Sequence, residues 1–264
     1  RRGGAKGAGN VMSLLAMAWR YLLFRKVATI LTAGCIALGV ALVCAVLALQ
    51  NESEKALTRD AALYDLVAGG KGSPLQLVLS SVYHLDSPTG NIDFREYERI
   101  RRDSRVLWAA PVGLGDNYQG FRIVGTEEHF FDLPDRDGGR FFRLASGSVF
   151  KEPFEVVLGS QVAAATGLGL GDSFSGTHGL VEVPGGEVHD DFPYTVSGIL
   201  SPTGTAQDRA IFGTLESVWE IHETEERLHS AIQGSALLGD SQKRETTAIL
   251  IRLKAPGLRL WMAE

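Results

Sequence analysis

Residues 27–49 read VATILTAGCIALGVALVCAVLAL, an uncharged apolar run with Arg25 and Lys26 before it and Glu52 and Glu54 after it. Wound into a helix at ~1.5 Å per residue, a run of this length reaches about 34 Å, enough to cross a hydrocarbon core of about 30 Å. The sequence therefore predicts a transmembrane helix over 27–49. A cleaved signal peptide is the competing reading, but its apolar region spans about 7–15 residues, and only Val46 and Ala48 offer a small-residue cleavage site here.

Charge sets the expected orientation. Arg1, Arg2, Lys6, Arg20, Arg25 and Lys26 precede the run, and no acid appears before Glu52. An excess of Lys and Arg at one end holds that end in the cytoplasm. The remainder is then extracytoplasmic, and it is acidic: 20 basic side chains against 31 acidic ones lie beyond Lys26. Nucleic acid demands the opposite sign, so it is excluded as a partner.

Thr32-Ala33-Gly34-Cys35 has the outline of a lipoprotein cleavage box, yet the apolar run continues well past Cys35 and too little of it lies before. Thr29, Ala33, Ala37, Ala41 and Ala45 recur every four residues along one helix face. Such a stripe of small side chains lets a second membrane helix approach closely; alanine is also simply common in such helices, and both readings stand. No second apolar run of spanning length occurs, so a partner helix would come from another subunit or from sequence beyond Glu264.

Residues 11–24, VMSLLAMAWRYLLF, are apolar but interrupted by Arg20. Residues 11–49 are too many for one span, and cations at mid-bilayer cost ~3 kcal/mol each on insertion scales. The stretch is expected to form an interfacial helix with Trp19 and Tyr21 at headgroup level and its cations wet or against anionic lipid. The opening RRGGAKGAG has no initiator Met and reads as a flexible lead or a truncation scar.

The pattern divides the chain into a cytoplasmic lead and interfacial helix at 1–26, a span at 27–49, a polar stalk helix at 50–62, a first extracytoplasmic subdomain at 63–137, an inserted subdomain at 138–240, and a return strand with the approach to a second span at 241–264. The fold class is α+β. Within it, Tyr64–Ala68 is expected as a strand, and Ser73-Pro74 starts a helix as cap and first residue. Asp93 opens the helix FREYERIRRD, and 107–125 alternates as a pair of strands. FEVVL at 154–158 is a buried-type strand, Ser160 is expected to cap a short helix, and GLGLGD at 167–172 turns into SFSG. YTVSGIL at 194–200 alternates, and 211–222 runs from strand to helix. TAILIRL at 247–253 is expected to return to the first subdomain's sheet.

Bond chemistry finds no support. Gly69-Gly70-Lys71-Gly72-Ser73 fails the phosphate-loop spacing, because Gly72 follows Lys71 where a hydroxyl is needed. GLGLGD lies between a helix and a strand, the reverse of a dinucleotide turn. The histidines at 84, 129, 178, 189, 222 and 229 are scattered, and His189-Asp190-Asp191 lacks metal-ligand spacing. Ser160 lacks the Gly-x-Ser-x-Gly elbow. Cys35 and Cys44 both lie in the span, leaving the extracytoplasmic part without a disulfide or a thiolate metal site. No catalytic, cofactor-binding or metal residue is assigned, and no cofactor.

The order of these pieces resembles the MacB/FtsX-like family of ABC transporter permeases. FRKVATILTAGCIALGV resembles that family's first transmembrane helix, and GRFF at 139–142, EVVLGSQVAAATGLGLGD at 155–172 and YTVSGILSPTGTAQDRAIFGTLESVWEIH at 194–222 resemble its periplasmic core domain. The resemblance implies a non-enzymatic permease subunit in a bacterial inner membrane, four spans in the whole protein, and a chain that stops just before the second. It implies as partners a separate ABC ATPase, a second permease copy or homologue, membrane lipid, and a periplasmic or outer-membrane component. It implies a mechanism in which ATP-driven helix movement passes through the stalk, used for export or for release of lipoprotein or lipid. A membrane-tethered sensor or ligand-binding module is the alternative, and a structural tether a third reading.

Overall fold

The computed structural model describes residues 9–135, 138–178, 192–233, 244–255 and 257. It divides into two compact units, Arg1–Lys55 and Ala56–Glu264.

The first unit contains helix α1, Gly9–Phe24, and most of helix α2, Lys26–Ala61. Arg25 separates them as a turn residue, so Gly9–Phe24 and the apolar run form distinct helices. None of the apolar window of α2 is buried within the protein. Ile30, Leu31, Leu38, Leu42 and Leu49 are each at least 65 % exposed, and the helix is long and apolar enough to cross a membrane. With 36 residues, α2 continues past the apolar run as far as Ala61.

The second unit is a sheet covered by short helices. Its strands are β1 Leu66–Gly69, β2 Ile92–Asp93, β3 Val106–Tyr118, β4 Phe121–Thr126, β5 Leu144–Gly147, β6 Glu155–Leu158, β7 Ser173–Phe174, β8 Thr177–His178, β9 Tyr194–Leu200, β10 Ala210–Thr214, β11 Glu245–Thr246 and β12 Ala248–Leu253. Its helices are α3 Pro74–Ser81, α4 Phe94–Arg101, α5 Ser160–Thr166 and α6 Leu215–Gln233. The main sheet runs β1-β12-β3-β4-β10-β6-β9-β5, with β2 and β11 paired separately. Pairing is antiparallel except for β4 with β10 and β6 with β9. β12, the last described strand, inserts between β1 and β3, so the chain closes on the strands with which the unit begins.

Local signals account for most of these elements. Ser73 caps α3, its hydroxyl accepting the Gln76 amide, with Pro74 at the first helical position. The Asp93 carboxylate accepts the Arg95 amide at 2.8 Å and caps α4. In β9, Tyr194, Val196 and Leu200 are buried while Thr195 faces out, the period of two expected of a half-buried strand. The expected cap at Ser160 is not found. Gly159 occupies that position without a side-chain cap bond, and Ser160 is the first helical residue.

Among the described residues, three apolar clusters fill the unit. The largest is aromatic: Phe130, Phe131, Phe142, Phe150 and Phe212 pack beside Trp108 and Tyr64. Phe130 lies 5.1 Å from both Phe142 and Phe212 between ring centroids. The GRFF stretch thus supplies a core anchor, Phe142, at 4 % exposure. A second cluster joins β6, β9 and β10 to α5 and α6 through Val156, Val162, Tyr194 and Ile221, and a third seats Tyr97 of α4 over β3 and β12.

Candidate functional site

The last turn of α2 carries Thr58, Arg59 and Asp60, and the chain leaves the helix into Leu63 and Tyr64. Tyr64 stacks on Trp108 at 6.0 Å and anchors that exit in the aromatic core. Asp60 does not face solvent; it is 4 % exposed and accepts the Ala206 amide at 2.8 Å. Its neighbour Arg59 donates from Nη1 to the Gly204 carbonyl at 3.3 Å. Both bonds reach the loop between β9 and β10.

That loop is organised from within by Asp208, at 2 % exposure. Its carboxylate accepts the Thr203 amide at 2.9 Å, the Thr203 hydroxyl at 2.8 Å and the Gly204 amide at 2.8 Å. Gly204 takes a positive φ of 68°, and a Cβ there would collide with the Arg59 guanidinium. The backbone conformation requires glycine, and the end of the Arg59 side chain would have to move aside for a Cβ.

A third segment closes the joint. Gln207 donates from Nε2 to the Val82 carbonyl at 3.2 Å, leaving Oε1 to accept from His84 Nε2 at 3.0 Å. His84 itself adopts a left-handed φ of 57°, uncommon for a non-glycine residue and held here by its surroundings. Arg122, 5 % exposed on β4, donates to the Asp86 carbonyl at 3.0 Å. Segments near 60, 84 and 206 thus meet in one buried polar cluster.

Burial dominates its electrostatics. It pushes the Asp60 carboxyl up to about 6; Asp208 adds to the rise, while the Ala206 amide and Arg59 oppose it. It pushes His84 down to about 4, against the Gln207 bond, with Arg122 adding to the depression. The Tyr64 and Tyr83 phenols are raised by burial and then by the Asp60 charge.

The exit is held from the other side as well. Asp65 donates its amide to the Ile251 carbonyl at 2.8 Å, and its carboxylate accepts the Leu253 amide at 2.9 Å. Arg252 Nη1 reaches the carbonyls of Leu63 and Pro134. The incoming chain after α2 and the outgoing chain of β12 are therefore fastened to each other.

The arrangement fastens the end of α2 to the loop ahead of β10 and to β12. Among the described residues no group of three His, Cys, Asp or Glu converges as a metal site. Of the histidines, His84 belongs to the joint, and His129 lies elsewhere with Nδ1 3.0 Å from Glu127. His189-Asp190-Asp191 lies outside the described residues. The GLGLGD stretch is a turn: Gly167 ends α5 at φ 75°, Gly171 has φ 83°, and Asp172 accepts the Gly169 amide at 2.8 Å. Sequence reasoning missed the joint, since no spacing links its three segments.

Residues 29–256 match the family described as the MacB-like periplasmic core domain. The chain belongs to this family. Its members form the extracytoplasmic domain of ABC-type transporter permeases, in keeping with a sheet-rich unit behind one helix long and apolar enough to span a membrane. Among solved structures, the periplasmic region of MacB from Actinobacillus actinomycetemcomitans is 13 % identical, covering 71 % of this chain and 72 % of that one with a TM-score of 0.40. The extracellular domain of the noncanonic ABC-type transporter YknZ from Gram-positive bacteria is 8 % identical, covering 73 % and 84 % with a TM-score of 0.37. These scores are low, and the family assignment rests on the sequence match. No curated protein matches the chain.

Proposed function

We propose that this chain is the first-span and periplasmic part of an ABC transporter permease subunit that passes movement from the membrane to the periplasmic domain. One observation carries the reading: α2 runs unbroken from Lys26 to Ala61, and its last turn is bonded through Arg59 and Asp60 to the loop ahead of β10. A helix transmits axial displacement only where its hydrogen-bond ladder is continuous and its end is fixed. In this reading α2 spans the inner membrane with its basic end cytoplasmic, and a separate ATPase subunit supplies the energy. A second permease copy or homologue completes the membrane part, and a periplasmic or outer-membrane component takes up the motion for export or for release of lipoprotein or lipid. An inserted subdomain at 138–240 is supported by β5, β6, β9 and β10 lying together in one half of the sheet order, although β8 of that stretch pairs with β3 and Ala56–Glu264 forms one compact unit.

The test is co-purification of the full-length protein in mild detergent, followed by mass spectrometry and an ATPase assay. The expected result is a stoichiometric P-loop ATPase whose activity depends on the permease. Isolation alone, or with a signalling protein, would contradict it and favour a tethered sensor.

A further inference from the structure

The elbow between α1 and α2 is shaped and lined with two chemistries. Across it the Arg25 amide donates to the Tyr21 carbonyl at 3.2 Å, the Thr29 amide to the Arg25 carbonyl at 3.0 Å, and the Thr29 hydroxyl to the Leu22 carbonyl at 3.2 Å. The two backbone bonds have ordinary helical spacing, whereas the Thr29–Leu22 bond spans seven residues and can close only where the chain bends. A hollow of about 400 Å³ opens in the crook, a volume within the ~300–1,000 Å³ range of small-molecule sites. Leu22, Ala28, Ala33 and Ile36 form its apolar wall, and Tyr21 and Arg25 its rim.

The polar atoms on that wall are already used. The Thr32 hydroxyl donates to the Ala28 carbonyl at 2.9 Å, and the Thr29 hydroxyl is engaged as above. Both threonine hydroxyls thus donate their proton to the backbone rather than to a ligand in the hollow. The Arg25 guanidinium sits 5.7 Å from the centroid of the Tyr21 ring, which holds the cation at the rim. The sequence supplies no acid before Glu52, so the counter-charge to Arg25 comes from outside this segment.

We propose that this elbow binds one anionic phospholipid, with the phosphate on Arg25 and an acyl chain along the slot formed by Leu22, Ala33 and Ile36. A planar guanidinium pairs a phosphate through two parallel hydrogen bonds, and an apolar slot beneath a fixed cation suits a ligand with a charged head and a hydrocarbon tail. A diffuse basic surface attracts anionic lipid without choosing a residue; this site chooses Arg25 over Lys26, which does not line the hollow. The inference rests on the reading of α2 as a span with its basic end at the cytoplasmic surface.

The test uses the full-length protein in nanodiscs of phosphatidylcholine with and without phosphatidylglycerol, read by native mass spectrometry for retained lipid. Wild type is expected to retain one phosphatidylglycerol per chain with at least a tenfold preference. Arg25→Gln is expected to lose that preference, Ala33→Phe to lose the lipid by filling the slot, and Lys26→Gln to keep both. Equal loss in Arg25→Gln and Lys26→Gln would overturn the site in favour of diffuse attraction. Cross-linking of an Ala33→Cys variant, with Cys35 and Cys44 both replaced by Ser, to another transmembrane helix would overturn it in favour of protein packing. Failure of the ATPase to co-purify while the lipid preference persists would sink the permease reading and leave the lipid site standing.

Discussion

The carboxylate of Asp60 accepts the amide of Ala206 at 2.8 Å across 146 positions of chain. This bond ties the end of the stalk helix to the loop that feeds β10, a central strand paired with both β4 and β6. In the proposed mechanism, displacement at Asp60 would reach the middle of the sheet through this loop.

Two groups in the joint respond to acid in opposite directions. Asp60 is raised by burial from 3.8 to about 6, so the folded protein binds more protons than the unfolded chain between these values, and stability falls as pH rises through that window. His84 is lowered by burial from 6.5 to about 4, so the unfolded chain binds more protons there, and stability falls as pH drops. The two slopes offset each other between about pH 4 and 6. Asp60→Asn keeps an oxygen for the Ala206 amide and removes one slope. At pH 7.5 the variant is expected to be more stable than wild type by about 1–3 kcal/mol, and to lose stability more steeply on acidification. Thermal unfolding of the detergent-purified chain from pH 4.5 to 7.5 measures this; parallel curves for the two proteins would refute it.

Gly204 and Arg59 are coupled by space. Gly204→Ala is expected to destabilise by about 1–2 kcal/mol from its left-handed backbone, with a further loss from displacement of the Arg59 guanidinium. In an Arg59→Ala background only the backbone cost remains. A double-mutant cycle by chemical denaturation should show non-additivity of at least about 0.5 kcal/mol, and strict additivity would separate the two residues.

The aromatic cluster ranks its members by burial. Phe142 touches Phe130, Phe131 and Phe212 and is 4 % exposed, whereas Phe141 packs at the cluster's margin. Phe142→Ala is expected to cost about 3–5 kcal/mol and Phe141→Ala clearly less. Equal losses in equilibrium unfolding would mean that GRFF is not anchored as described.

Elements carrying their own signal were legible in the sequence. Ser73-Pro74 and Asp93 announced α3 and α4 through side chains that cap locally, and β9 announced itself through alternation. Ser160 misled because the cap position is decided at a distance: a Cβ at Gly159 would lie 2.5 Å from the Asp208 carbonyl oxygen, so close approach to the 203–208 loop puts glycine there. Gly198 follows the same logic, its missing Cβ making room for the Ser148 carbonyl. The joint was illegible because Asp60 sits in a stretch that reads as a solvated stalk, and His84 and Gln207 lie 123 positions apart. The hydroxyls and carboxylate of Thr203, Thr205 and Asp208 around Gly204 were the available signal, since such composition builds self-bonded loops.

Amide hydrogen exchange at residues 203–208 of the full-length permease with its ATPase, with and without ATP, tests the central claim most directly. Transmission through α2 requires that ATP change protection of the Ala206 amide, and that two glycines inserted between Glu54 and Lys55 abolish the change while ATP hydrolysis continues. An ATP response that survives the interrupted helix, or no response with the helix intact, would contradict transmission through the stalk.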